Sequence, residues 1–213
     1  MKKILLIIST VSTCTWMVSC KQPAAPAQTK TSAEVEKVVQ ELGLQYVEEG
    51  AQTVITYDEV LAAQQAWCDA LVKIGQLYVD SGDYRGFANQ VLTDAYNYDS
   101  GKVFFKPTLA FGDQTFRNDK KGALAYFVGG DPDYPDDKGF ALTPWVKARF
   151  ENTGGQKQGI QIYGSIAITM GNVWCTDKNG KDTMVDKTWV FKKGKDGKLR
   201  IIVHKSSLPY SPK

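Results

Sequence analysis

The chain has 213 residues, of which 43% are hydrophobic and 23% charged, with a formal net charge of +3. This suits one globular domain with an appendage. The charge is too small, and contains no stripe of like sign, for a nucleic-acid-binding surface. No nucleic-acid partner is expected.

Met1-Lys2-Lys3 followed by Ile4-Leu5-Leu6-Ile7-Ile8 reads as a positive segment and an apolar core of a signal peptide over residues 1–19. It is too short and too interrupted by Ser and Thr for a transmembrane span. Met17-Val18-Ser19-Cys20 resembles a bacterial lipobox, although Met17 stands where leucine is usual. The resemblance implies that Cys20 is lipidated and becomes the first residue, with plain secretion as the alternative. Acyl chains hold a protein to a bilayer without a spanning helix. Lys21, rather than aspartate, favours the outer membrane by the sorting rule that the resemblance implies. The expected location is an exported lipoprotein, periplasmic or outer-membrane anchored. Loss of Lys2 and Lys3 leaves a mature charge of 3 − 2 = +1.

Residues 20–33 are rich in Pro, Ala and Thr and lack an apolar period, as a lipidated flexible tether would. A domain is expected over 34–213. Glu34 to Glu49 carries Val35, Val38, Val39, Leu42 and Tyr46, which fits a short amphipathic helix. Thr56 or Asp58 caps a stronger helix from Glu59 to Val79. Val60, Gln64, Trp67, Cys68, Leu71, Ile74, Gly75 and Tyr78 form one face of it. Ser81-Gly82 stops it. Tyr84 to Tyr98 predicts a third helix, with Phe87, Val91, Leu92 and Tyr96 on its buried stripe.

From residue 101 the period changes. Lys102–Leu109, Ala123–Val128, Pro144–Asn152, Gly159–Thr176, Asp182–Phe191 and Leu199–Ser207 predict strands. Gly164 or Gly171 marks a bend in the long fourth one. Asn179-Gly180 and Asp196-Gly197 predict hairpin turns with positive φ angles. The last strand ends in the chain's sole histidine, His204, then Lys205, Ser206 and Ser207. Pro209 closes it. The loop Asp131–Gly139 holds four aspartates and two prolines without EF-hand spacing. Helices followed by antiparallel strands predict an α+β domain: about three N-terminal helices on a strongly curved, mostly antiparallel sheet, with a ligand pocket at its mouth.

With one histidine, and only Cys68 and Cys175 outside the leader and lipid site, a three- or four-ligand His/Cys zinc site is hard to build. Cys68 and Cys175 are expected as separate buried thiols, although export permits a disulfide. Glycine-rich phosphate loops and nucleophile elbows are absent from the sequence. His204 and Ser206 share a strand face, roughly 6.5–7 Å apart, too far for a direct nucleophile–base bond. What remains is a set of hydroxyls in apolar surroundings, Thr108, Tyr126, Ser206 and Ser207. Buried hydroxyls need partners: each could bond to nearby backbone, or several in one pocket could bind water or a small oxyanion.

Four stretches carry a resemblance. They are Val103-Phe104-Phe105-Lys106-Pro107-Thr108, the run Gly122 to Gly130, the run Gly139 to Asn152, and His204-Lys205-Ser206-Ser207-Leu208-Pro209-Tyr210. In that order they resemble the iota-class carbonic anhydrases of the metal-free cyanobacterial and algal type, within the NTF2-like superfamily. The likeness spans about residues 60 to 210. It implies a homodimer of cone-shaped NTF2-like domains that hydrate CO2 to bicarbonate with no metal or other cofactor. It also implies that Thr108, Tyr126 and a serine of the final pair are catalytic. Ser206 is favoured, with Ser207 as a further substrate contact. Lys205 stands where histidine is common in the family, which suits metal-free chemistry. Two other readings stay open: an NTF2-like lipoprotein that binds a small ligand without turnover, and a nucleotide cyclohydrolase. The second would need metal ligands and a phosphate cradle that the sequence does not offer.

Overall fold

The computed structural model describes residues 54–212. The leader, the lipobox with Cys20, the tether and the predicted helix at 34–49 lie outside the described residues. Helix α1 (Tyr57–Val79) begins at Thr56, whose hydroxyl accepts from the Glu59 amide while the Glu59 carboxylate accepts from the Thr56 amide. This reciprocal box satisfies two otherwise orphaned amides. Ser81, with φ +56°, turns the chain out of the helix. Helix α2 (Tyr84–Ala95) starts on the Asp83 carboxylate. It ends earlier than the apolar stripe predicts, because Tyr96 leaves it to bridge Ile201 of the last strand.

Six strands follow: β1 (Phe104–Lys106), β2 (Lys147–Asn152), β3 (Ile160–Tyr163), β4 (Ile166–Thr176), β5 (Asp182–Lys193) and β6 (Leu199–Ser207). Their order is β1-β6-β5-β4-β2, with β3 also on β4; β1 and β6 run parallel and the other pairs antiparallel. The register shifts between Val190 and Phe191, where an irregularity interrupts the β5–β6 ladder. The long strand predicted over 159–176 is two strands. Gly164, at φ +58°, makes the turn between them. Gly171 stays inside β4, where a Cβ would stand 2.1 Å from the Glu151 carbonyl oxygen. At both long hairpins the glycine alone takes positive φ, at +81° for Gly180 and +77° for Gly197. The bonds Gly180 N–Asp177 O and Asp177 N–Lys181 O describe a tight turn closed by a left-handed glycine, rather than the two-residue primed turn that Asn-Gly suggests.

One predicted strand is a helix. Residues 123–128 belong to α3 (Lys120–Val128), whose Asp119 carboxylate accepts from the Gly122 amide and whose end is set by Gly129 at φ +61°. A six-residue apolar run has no usable period; the capping aspartate carried the information. Among the described residues the sheet thus carries three helices, two of the predicted N-terminal ones before β1 and α3 after it. The core lies between the helices and the sheet: Trp67 and Leu71 from α1, Leu92 from α2, Phe127 from α3, and Val173, Trp189 and Ile201 from the strands. Gln64 and Asn152 exchange a buried pair of amide hydrogen bonds, at 3.0 and 2.9 Å, and fix α1 to β2. Cys68 and Cys175 are free and buried.

Because the Glu151 strand passes so close to Gly171, Gly171→Ala should force the β2–β4 ladder apart. The expected loss is about 1–3 kcal/mol in urea unfolding, whereas Ala at an open position such as Gly180 should cost only what its positive φ demands.

Candidate active site

The β6 ladder determines the site. Lys205 is exposed, so its neighbours His204 and Ser206 both point inward, 1% and 0% exposed. Strand alternation puts them on the same face. Ser207 is on the opposite face, where its hydroxyl accepts from Lys205 Nζ at 2.7 Å. Of the two serines, the structure brings only Ser206 to the other hydroxyls. Pro107 ends β1 and turns Thr108 toward it, and Thr108 Oγ1 lies 2.6 Å from Ser206 Oγ. Tyr126 arrives from α3, and its hydroxyl accepts from the Leu109 amide at 3.4 Å. Burial pushes the Tyr126 phenol up to about 12 against the pull of its Thr108 and Leu109 partners. It is therefore a neutral O–H donor at physiological pH.

Thr108 and Tyr126 line a cleft of about 660 Å³ that opens to solvent. Its walls include Phe140, stacked on the Tyr126 ring at 5.7 Å, with Trp145 and Val185. A charged pair from outside the sequence prediction also lines it: Arg117 Nη2 donates to Asp137 at 3.2 Å. Asp137 belongs to the acidic loop Asp131–Gly139. Burial raises its carboxyl above the usual range, opposed by Arg117. Ser206 is one layer behind Thr108 and does not line the cleft.

His204 is deeper still. Its ring stacks on Phe105 at 4.4 Å and meets the edges of Trp67 and Trp189. Nδ1 is 2.8 Å from the Tyr96 hydroxyl, which accepts from Trp67 Nε1 at 2.9 Å. Nε2 is 2.9 Å from Lys187 Nζ. Burial, and next the charge of Lys187, push the imidazole well below its ordinary value. A neutral, doubly engaged histidine in an aromatic box cannot meet a molecule in the cleft. Sequence reasoning missed Lys187 altogether. The signal was present: Val185, Lys187, Trp189 and Phe191 alternate along β5, so the lysine had to point inward.

The metal-independent carbonic anhydrase family matches residues 58–208. A metal-independent carbonic anhydrase of Nostoc sp. is 54% identical over 158 residues, covering 73% of this chain and 75% of that protein. The chain is also similar to a cyanobacterial iota-carbonic anhydrase solved as a crystal structure in complex with bicarbonate. That likeness has 51% identity and a TM-score of 0.72 over 78% of this chain and 100% of the other. A Salmonella enterica protein of the nuclear transport factor 2 superfamily aligns at 13% identity and a TM-score of 0.41, over 74% and 93%. The chain belongs to the metal-independent carbonic anhydrase family.

Burial lowers Lys187 to about 7, against about 10.4 for an exposed lysine. Between those values the unfolded chain binds a proton at this site that the folded chain does not, so this contribution to stability rises with pH. Lys187→Met removes it. The variant's stability advantage, or smaller deficit, relative to wild type should therefore be greatest below about pH 7 and shift by at least about 1 kcal/mol toward wild type by about pH 10, read from paired urea titrations.

Proposed function

We propose that the chain hydrates CO2 to bicarbonate at the Thr108–Tyr126–Ser206 cluster, without a metal. The observation that carries the reading is the 2.6 Å Thr108–Ser206 pair set beside a protonated phenol at the wall of an aromatic cleft, in a chain of this family. CO2 has no dipole, and the faces of Phe140, Trp145 and Val185 suit it. As a water oxygen bonds to its carbon, negative charge grows on the two carbon dioxide oxygens. The Tyr126 O–H is placed to donate to that charge, and Thr108 to hold the attacking water. Fixed donors of this kind stabilise developing charge with little reorganisation, and holding the water in line lowers the entropic part of the barrier.

The experiment is stopped-flow CO2 hydration by the full chain, before and after exhaustive chelation. Activity should survive chelation. Thr108→Ala and Tyr126→Phe should each lower kcat by roughly 100-fold. Activity lost on chelation and restored by added zinc or manganese would sink the metal-free mechanism. Bicarbonate binding without turnover would make the chain a binding module instead.

The lipobox resemblance supports an envelope lipoprotein anchored through Cys20, periplasmic or outer-membrane, and the family resemblance supports a homodimer. A Cys20→Ser chain should lose labelling by a fatty-acid analogue yet still sediment as two chains.

A further inference from the structure

The hydration step releases a proton, and none of the three hydroxyls is a base. Ser206 is fully buried, and among the described residues its hydroxyl has one hydrogen-bond partner, Thr108. If Thr108 donates to Ser206, the Ser206 hydrogen must point onward, deeper into the protein. The group facing it there is fixed by register: Lys187 of β5 is the cross-strand partner of Ser206. Side chains so paired begin about 4.5–5.5 Å apart at Cβ. Lys187 is 3% exposed and makes no ion pair among the described residues. The titratable groups around it are Cys68 from α1, Cys175 from β4 and His204 from β6, with Tyr96 beyond the imidazole. Burial pushes Cys68 up to about 12 and Cys175 to about 11, so both are neutral thiols.

Hydrogen-bond accounting favours a free amine. If Lys187 were an ammonium, it would donate to His204 Nε2, and Nδ1–H would donate to the Tyr96 oxygen. That oxygen already accepts from Trp67, so the buried Tyr96 O–H would have no acceptor. With a free amine, Tyr96 donates to Nδ1, and Nε2–H donates to the amine lone pair. Every member of the chain then has a partner. The Trp67 ring, 4.8 Å from Nζ, provides a cation–π face for the ammonium when a proton arrives.

We propose that Lys187 is the proton acceptor of the hydration step, reached from the attacking water through Thr108 and Ser206, with His204 holding the amine in place. As the water oxygen bonds to the carbon of CO2, its O–H bond breaks and the proton passes to Thr108 Oγ1. The Thr108 proton moves to Ser206 Oγ, and the Ser206 proton to Lys187 Nζ as the amine turns its single lone pair from the His204 Nε2–H toward its cross-strand partner Ser206. Bicarbonate leaves as the anion. The ammonium returns its proton along the same hydroxyls to water entering the emptied cleft. Bicarbonate dehydration is the reverse sequence and starts from the ammonium.

The inference rests on the carbonic anhydrase reading. Its test is stopped-flow hydration and dehydration by the full chain across about pH 5.5 to 9, a window that brackets the buried lysine. Wild-type hydration should rise through an inflection near pH 7, where Lys187 loses its proton, and dehydration should fall there. Lys187→Met keeps the side-chain length without a proton site. It should lower kcat by roughly 100-fold, as loss of a general base does, leave KM within about twofold and abolish the inflection. Ser206→Ala should do the same, and the double variant should add little further loss. An active wild type whose kcat and pH profile survive Lys187→Met overturns the inference alone. A wild type that hydrates no CO2 overturns the inference together with the reading beneath it. Should Lys187→Met fail to fold, nitrogen NMR of the wild-type lysines decides: a free amine by about pH 8 supports the proposal, and a Lys187 still protonated at about pH 9 overturns it.

Discussion

Everything at this site hangs on the hydrogen bonding of His204. A neutral imidazole buried among Phe105, Trp67 and Trp189 needs a partner at each nitrogen, and the two partners come from opposite directions. Tyr96 comes from the end of α2 and Lys187 from the neighbouring strand. The constraint reaches outward through both. Tyr96 must abandon the helix and lie along β6 to offer its hydroxyl, which explains the bridge to Ile201 and the end of α2 at Ala95. Trp67 must present its indole N–H to that hydroxyl, which fixes the rotation of α1 about its axis. With the imidazole so held, β6 cannot slip. A shift of one residue would bury Lys205 and expose both His204 and Ser206. The Thr108–Ser206 contact is therefore set by a polar chain that never touches the cleft.

Much of this was legible in the sequence. The α1 face, its Thr56 cap, the β4–β5–β6 meander and the free cysteines follow from period and turn chemistry. Alternation alone could not choose between Ser206 and Ser207, since a strand lysine can point either way, as Lys205 and Lys187 do; the burial of Ser206 beside exposed Lys205 decides it. Residues 123–128 were misread because six apolar residues satisfy a buried strand and a buried helix equally. Only the Asp119 cap and the closing glycine separate the two. The change matters for chemistry, since Tyr126 approaches the cluster from a helix above the sheet and not from a strand within it. Arg117 and Asp137 were invisible because their pairing spans a loop, and no spacing rule connects a β1-flanking residue to the acidic turn.

Lys187 is the residue whose presence asks most for an account. A buried lysine without a carboxylate is costly, and replacing buried charge by an apolar group of like size is often neutral or stabilising. Its surroundings limit that cost by favouring the free amine: two neutral thiols, an aromatic face and an imidazole N–H. The same surroundings bring the amine to the range in which proton transfer is efficient in both directions near neutral pH.

That range is what a metal-independent hydratase has to supply by other means. Zinc prepares its nucleophile by lowering the pKa of bound water from about 15.7 to about 7. Serine, threonine and neutral tyrosine side chains place a water but leave its acidity almost unchanged. Unless the proton departs as the carbon–oxygen bond forms, the product would be the high-energy protonated adduct. A hydroxyl relay ending on an amine of matched basicity removes that requirement for a metal. It also keeps the base out of the cleft, where a free amine would react directly with carbon dioxide to give a carbamate. The burial of Lys187 behind Thr108 and Ser206 thus separates two properties that a base at this site must combine, affinity for the proton and inertness toward the substrate.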